Sequence, residues 1–209
     1  IFSVDPKYYK KAKKIDNLSY EEMLEMASLG ANVLETRAVD LAKRYQVPIY
    51  LAASHNNKKG TYIKEIGGSM EEKSVTGITV NEDVLMITLN HVPYSPENIS
   101  LIFKKLAAKD INIDMISQTP PDKGYVNISF TTSKEDLKEV EYILENIKEK
   151  MAGIEIVSDS KVVKISVIGI GMRQQSGVAA KIFDIFAKNK IEFKQITTSE
   201  ISISYTVNK

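Results

Sequence analysis

The chain repeats itself at an offset of 80 residues, and this feature constrains its fold more than any other. The segment Ile102 to Ile111 (IFKKLAAKDI) returns as Ile182 to Ile191 (IFDIFAKNKI). Between Ile102 and Thr119, five of 18 positions match their partners: Ile102, Phe103, Ala107, Ile111 and Ile116. A duplicated unit of this size implies two small modules that pack on each other or on copies in another chain. Small ligands often bind where such modules meet.

Each copy has the rhythm of a split βαβ sandwich. In copy one, Val84–Leu89 reads as a strand, and Ser95-Pro96 opens a helix with proline at the position where a missing N–H costs nothing. Ile111–Gln118 and Tyr125–Thr131 read as strands around the turn Pro120-Pro121-Asp122-Lys123-Gly124. Ser133 caps a second helix with Leu137, Val140, Leu144, Ile147 and Met151 on its apolar face; Gly153 ends it, and Ile154–Val157 is the last strand. The order is βαββαβ, an antiparallel sheet covered by two helices. Copy two begins the same way, with a strand at Val162–Ile170, a helix at Gly177–Lys188 and strands at Phe193–Ser199 and Ile201–Val207. It ends one helix and one strand short of copy one, so it is expected to be incomplete at its C-terminal side. Val75–Val80 reads as a strand outside copy one and is a candidate for the fourth strand of copy two.

Before the repeats, residues 1–66 read as α/β. Ser19 and Glu22 have the spacing of a capping box, Met23, Leu24 and Ala27 follow on one face, and Gly30 suits a left-handed helix end. Val33, Leu34, Ala38, Leu41, Ala42 and Tyr45 read as a second helix stopped by Pro48, and Ile49–Ala53 as a strand. The polar run Ser54–Gly60 is a loop, and residues 67–74, beginning Gly67-Gly68-Ser69, are a linker. The organisation is thus 1–66, a linker at 67–74, a first module at 75–160 and a second at 161–209. The fold class is α+β: tandem ferredoxin-like βαββαβ modules preceded by an α/β segment.

Composition narrows the function. With a formal net charge of +1, neither nucleic acid nor membrane is expected as the main partner. Copy strands carry Leu85, Ile87, Ile113, Met115, Ile165 and Val167 where an RNA-binding sheet would carry aromatic residues for stacking. The absence of cysteine excludes disulfides and thiolate chemistry and fits a cytoplasmic protein. No apolar run reaches the length of a membrane helix. The chain opens without methionine or signal peptide, which reads as a piece of a longer protein. His55 and His91 have no carboxylate or cysteine at ligand spacing, so no metal site is expected and both read as loop residues. Gly169-Ile170-Gly171 lacks the third glycine of a dinucleotide loop (Gln174 stands there) and reads as a tight turn. Lys7, Lys10, Lys11, Lys13 and Lys14 read as a solvated face.

The better candidate site is the turn between first strand and first helix of each copy. It leads to helix starts at Pro96-Glu97-Asn98 and Ser176-Gly177-Val178, where backbone N–H groups and the helix dipole attract a carboxylate. The following strand carries Asn112, Asp114 and Gln118; Asp114 is suited to an ammonium, and Gln118 to either end of an amino acid. Together these form a receptor for a zwitterion, unless they are ordinary caps and edge residues.

Three segments resemble one family. Ser19–Leu34 (SYEEMLEMASLGANVL) with Arg37-Ala38-Val39 resembles the end of the amino-acid-kinase domain of aspartokinases, and Ile111–Gln118 (INIDMISQ) and Thr197–Ile201 (TTSEI) resemble its paired ACT modules. The resemblance implies a whole protein that phosphorylates the β-carboxylate of aspartate with Mg-bound ATP in lysine, threonine and methionine biosynthesis. It implies an ACT pair that joins subunits into a homodimer or higher homo-oligomer and binds lysine and/or threonine as feedback effector. The family's catalytic lysine, phosphate loop and aspartate-binding arginine precede this region, so no catalytic residue is expected here and this stretch alone, binding no cofactor, should be inactive.

Residue by residue, Phe2, Ser3, Val4, Asp5, Pro6 and Lys7 resemble the family's nucleotide-contacting Tyr-Thr-x-Asp-Pro-Arg, with a point charge in place of the bidentate arginine. Asn32 stands where the family has a lysine near the phosphates, and Glu35-Thr36-Arg37 replaces His-Pro-Arg. The effector turn maps onto Tyr94, Ser95, Pro96, Glu97, Asn98 and Ile99, then Asn112, Ile113, Asp114 and Gln118, with Val178, Ala179, Glu192 and Phe193 in copy two. Glu97 replaces a frequent glycine and would repel an effector's carboxylate or recruit its ammonium. Two alternatives stay open: an ACT pair that only assembles subunits, and an ACT-bearing protein whose kinase lobe has decayed.

Overall fold

The computed structural model describes residues 1–55, 57–66, 74–151 and 153–209. Most of the expected linker, 67–73, and Asn56 of the polar loop lie outside the described residues. The described residues form two compact units: Ile1–Asn81 with Ile165–Glu192 and Thr198–Tyr205, and Glu82–Lys164 with Phe193–Thr197 and Thr206–Lys209.

In the first unit, β1 (Asn17–Leu18) leads into α1 (Tyr20–Ser28), followed by α2 (Thr36–Arg44), β2 (Ile49–Leu51) and β3 (Thr61–Ile63). Ser19 closes a complete capping box: its hydroxyl accepts the Glu22 N–H at 3.1 Å, while Glu22 accepts the Ser19 N–H at 3.2 Å. Gly30 after α1 has φ +104°, a left-handed geometry that L side chains rarely adopt. The second helix starts at Thr36, so Val33 and Leu34 precede it, contrary to the spacing. Val33 N–H turns back to Ala31 O, and Glu35 is extended at φ −67°, ψ 131°. The three strands form a small sheet in the order β1-β3-β2. Leu18, Tyr20, Met23, Met26, Val39 and Ile63 make the core beneath it, joined by Ile168 from the repeat region.

β4 (Gly77–Asn81) follows, then copy one: β5 (Leu85–Pro93), α3 (Pro96–Ala107), β6 (Ile116–Gln118), β7 (Tyr125–Thr132), α4 (Leu137–Lys148) and β8 (Glu155–Asp159). Its sheet order is β6-β7-β5-β8, antiparallel throughout, with Leu85 opposite Thr132 and Asn90 opposite Glu155. Apolar residues at helical spacing put Ile102 and Leu106 of α3, and Val140, Leu144 and Ile147 of α4, onto Leu85, Ile87, Leu89, Ile128 and Phe130 of the sheet. Two expectations fail here. The strand after α3 begins at Ile116 instead of Ile111: Ile111 and Met115 turn into the core, and although the Asp114 N–H and the Met115 carbonyl still bond Thr131, the regular register with β7 runs over Ile116–Gln118. His91 lies within β5 and not in a loop: the register slips between Leu89 and Val92, His91 takes φ 56°, and its N–H goes to the Asn127 side chain.

Copy two comprises β9 (Val162–Ile168), a 3₁₀ turn at Ile170–Arg173, α5 (Val178–Lys188), β10 (Phe193–Thr198) and β11 (Ser202–Asn208). The sheet order is β10-β11-β9-β4, so β4 stands beside copy two's first strand. Gly169 is required before the turn because a Cβ there would meet Ser74 O at 2.4 Å.

Candidate functional site

The opening segment doubles back on itself. Ser3 N–H donates to Lys13 O at 2.8 Å, Lys13 N–H donates to Ser3 Oγ at 3.1 Å, and Phe2 bridges Lys14. Between these arms Asp5 shapes a turn: its carboxylate accepts Lys7 N–H at 2.8 Å and its carbonyl accepts Tyr8 N–H at 2.9 Å. Lys7 Nζ lies 3.8 Å from Asp5 and over the Tyr8 ring. Phe2 and Lys7 are exposed, as is Asn32 beyond α1. A cavity of about 740 Å³ opens beside this segment, lined by Ser3, Lys13, Lys14, Glu21, Glu22 and Arg173, among others. Its rim carries both signs of charge. Lys14 pairs with Asp16 at 2.5 Å and so holds that exposed carboxyl below its ordinary pKa, and Arg173 bridges Glu21 and Glu200, both at 3.0 Å.

At the head of copy one, Ser95 caps α3 by accepting the Asn98 N–H at 3.1 Å, and the Asn98 amide donates to Pro93 O at 2.9 Å. Tyr94 N–H donates to Gly124 O at 2.8 Å, and Ile99 N–H to Ser95 O. Pro96 has no N–H. Among the described residues this leaves the Glu97 N–H as the donor of the first turn still open to a ligand carboxylate. Asn112 and Gln118 are exposed, and Ile113 packs against the core of its own unit.

Asp114, suited from sequence to an ammonium, already meets one: Lys164 of β9 reaches it, with only 1% of its side chain exposed. Sequence reasoning missed Lys164, although a lysine at an inward position of an apolar strand was the available signal. In the same unit Gln195 of β10 is 4% exposed and donates to Ser117 Oγ and Ser129 O, both at 3.1 Å.

The copy-two positions fall differently. Val178, Ala179 and Glu192 belong to the first unit, and Phe193 to the second. Val178 is buried on the apolar face with Ile182 and Phe186, which line a cavity of about 600 Å³ together with Val75, Ile78 and Tyr205. Its side chain therefore serves packing, and what it presents is a backbone N–H. Gly177, in the left-handed region at φ +88°, gives α5 no side-chain cap. Among the described residues no group of three or more His, Cys, Asp or Glu could hold a metal ion, and no helix is long and apolar enough to cross a membrane.

Comparison with known proteins agrees with this architecture. Residues 1–53 match the amino acid kinase family and residues 165–209 an ACT domain. The chain is 38% identical, over 209 residues, to an aspartokinase from Bacillus sp. strain MGA3, covering 100% of itself and 51% of that protein. It thus spans about half the length of the curated relatives it matches. It resembles the crystal structure of the regulatory subunit of aspartate kinase from Thermus thermophilus in ligand-free form, at 30% identity and a TM-score of 0.61, covering 65% of itself and 89% of that chain. The Clostridium acetobutylicum aspartate kinase, at 22% identity, shares the fold over 100% of this chain and 48% of its own, with a TM-score of 0.84.

Proposed function

The chain belongs to the aspartate kinase family, and from that premise we propose that it is the regulatory region of an enzyme that transfers the γ-phosphoryl group of Mg-bound ATP to the β-carboxylate of L-aspartate. The observation that carries this is the joining, in one chain, of an amino-acid-kinase segment at residues 1–53 to an ACT match at 165–209 and a complete βαββαβ unit between them. Phe2, Ser3, Val4, Asp5, Pro6 and Lys7 form the nucleotide side, with Asn32 near the phosphates. Lys7 fits this role as a cation on an exposed turn, held at 3.8 Å from Asp5.

The effector is an amino acid, lysine or threonine, received at Tyr94–Ile99, Asn112–Asp114 and Gln118, with Val178, Ala179, Glu192 and Phe193 as the copy-two counterparts. It acts by favouring one arrangement of the modules over another, which requires a difference in affinity of about 1–3 kcal/mol between them. The ACT modules also join copies of the chain. The test is the full-length enzyme, assayed for aspartyl phosphate with and without millimolar L-lysine and L-threonine. Inhibition by either supports the reading, and an active enzyme indifferent to both overturns its effector part.

A second reading, an ACT pair that assembles subunits without an effector, is favoured by the Ser95 cap that consumes the Asn98 N–H of α3 and by the Lys164 ammonium on Asp114. Sedimentation would then show an oligomer unchanged by amino acids.

A further inference from the structure

β4 has two sets of neighbours. On one side it is the sheet neighbour of β9, and just before it Thr76 N–H donates to Ile168 O at 2.8 Å. On the other, β4 and the residue before it hold the α/β segment at four successive positions, 76–79. The Thr76 hydroxyl donates to Glu22 Oε1 at 2.6 Å; Gly77 lies so close to Met26 that a Cβ would stand 3.0 Å from its Cε. Ile78 N–H donates to Ser3 O at 2.7 Å, and the Thr79 hydroxyl to Leu29 O at 2.9 Å.

Glu22 is the hub of this contact. It is 4% exposed, so an ionised carboxylate there must be satisfied by donors. Oε2 accepts from the Ser19 N–H and hydroxyl, and Oε1 from Thr76 and, at 3.3 Å, from the Ile170 N–H that opens the 3₁₀ turn of copy two. One carboxylate thus fixes the cap of α1, the lead into β4 and the loop after β9. Glu25, one turn along α1, adds a second tie by accepting the Ser199 and Ser202 hydroxyls at 3.2 and 2.6 Å.

We infer that Thr76 and Glu22 are positioning residues that couple the sheet of copy two to the nucleotide segment through the Ile78–Ser3 hydrogen bond. A shift of β9 carries β4 with it through the ladder, and β4 carries the Ser3 carbonyl. Such a joint transmits well because both sides are packed and hydrogen-bonded, so the segment has discrete positions instead of drifting. The inference rests on the proposed nucleotide role of Phe2–Lys7.

The experiment uses the full-length protein carrying Thr76→Val, which keeps the shape and deletes the hydroxyl, and Thr76→Ser, which restores it. Calorimetry measures the Kd for Mg-ATP, and steady-state assays measure KM for ATP, kcat and the response to millimolar L-lysine and L-threonine. For Thr76→Val the expected result is a rise of about threefold to tenfold in Kd and KM for ATP, with kcat within about twofold. The effector response should weaken at least about fivefold. Thr76→Ser should return each value to near wild type, which a merely structural defect would not do. An ATP affinity for Thr76→Val within about twofold of wild type overturns the inference, as does a Thr76→Ser that behaves like Thr76→Val. Should Thr76→Val not fold, Glu22→Gln takes its place in the same measurements, with the same ATP affinities expected and the same twofold limit overturning the inference. A wild-type enzyme indifferent to both amino acids overturns the effector reading instead, and the ATP affinities still decide this one.

Discussion

Lys164 extends from β9 with 1% of its side chain exposed and sets its ammonium on the carboxylate of Asp114, just before β6. Removing Asp114 strands a cation with 1% of its side chain exposed, whereas replacing that cation with an apolar side chain of similar length leaves a carboxylate that is 39% exposed and can be hydrated. Asp114→Ala should therefore cost about 3 kcal/mol, the low end for such pairs because Asp114 itself is 39% exposed. Lys164→Met should stay within about 1 kcal/mol of wild type. Urea denaturation of both variants checks this; equal destabilisation by the two would mean that the pair is not held together by desolvated charge.

How much of this was legible in the sequence follows from the kind of interaction involved. The capping box of Ser19 and Glu22, the Ser95-Pro96 helix start and the apolar rhythm of α3 and α4 are local patterns, and the structure forms them at those residues. The βαββαβ order of copy one was legible for the same reason. The limits of α2 and β6 were not: the apolar residues Leu34, Ile111 and Ile113 continue the periodic pattern but serve loops packed against the core, and Val33 continues it while exposed.

The partners of Glu22 and Asp114 were the least legible. Each meets groups 50 or more residues away, Thr76, Ile170 and Lys164, and no local rule selects among the many hydroxyls and lysines of this chain. Similarly, His91 reads as a loop residue because a bulge within a strand leaves no mark beyond a break in alternation. The helix tips were correctly placed as helix starts, but the sequence does not tell how many of their N–H groups the chain itself consumes.

That occupancy makes Glu97 informative. Its N–H is the open donor of the first turn of α3, while its own carboxylate opposes an incoming carboxylate at that helix end. Glu97→Gln removes the charge and keeps the size, so binding of an amino-acid effector to the full-length protein should tighten about twofold to fivefold. Calorimetry with L-lysine and L-threonine measures it. Weaker binding would mean that Glu97 instead holds the effector's ammonium.

Gly169 offers a steric test. Its φ of 178° is open to any residue, so the demand is space alone: a Cβ would stand 2.4 Å from Ser74 O and 2.9 Å from Val75 Cα, both backbone atoms that cannot rotate away. Gly169→Ala should destabilise by about 1–3 kcal/mol. At Gly153 nothing lies within 4 Å, but φ is +92°, so an alanine there is opposed by conformation, at about 1 kcal/mol. Thermal unfolding of the two variants should rank Gly169→Ala as the more damaging.

Acid should weaken copy one's unit through Asp159. The Lys194 ammonium hydrogen-bonded to it lowers its pKa, partial burial opposes this, and the Lys161 N–H adds a further lowering contact. A folded-state value below the unfolded one means that, as pH falls, the unfolded chain takes up the proton first. The stabilisation is therefore complete above the ordinary aspartate range near pH 4 and disappears as pH drops through the folded value. The side chains of Asp159 and Lys194 are 25% and 35% exposed, so water screens the pair and its worth is about 0.5–1 kcal/mol. Asp159→Asn should accordingly be less stable than wild type at pH 7 by about that amount, and the two curves should converge below about pH 3. Urea midpoints across pH 2.5 to 7 measure the difference; a constant offset over the whole range would show that the asparagine acts through packing and not through the charge.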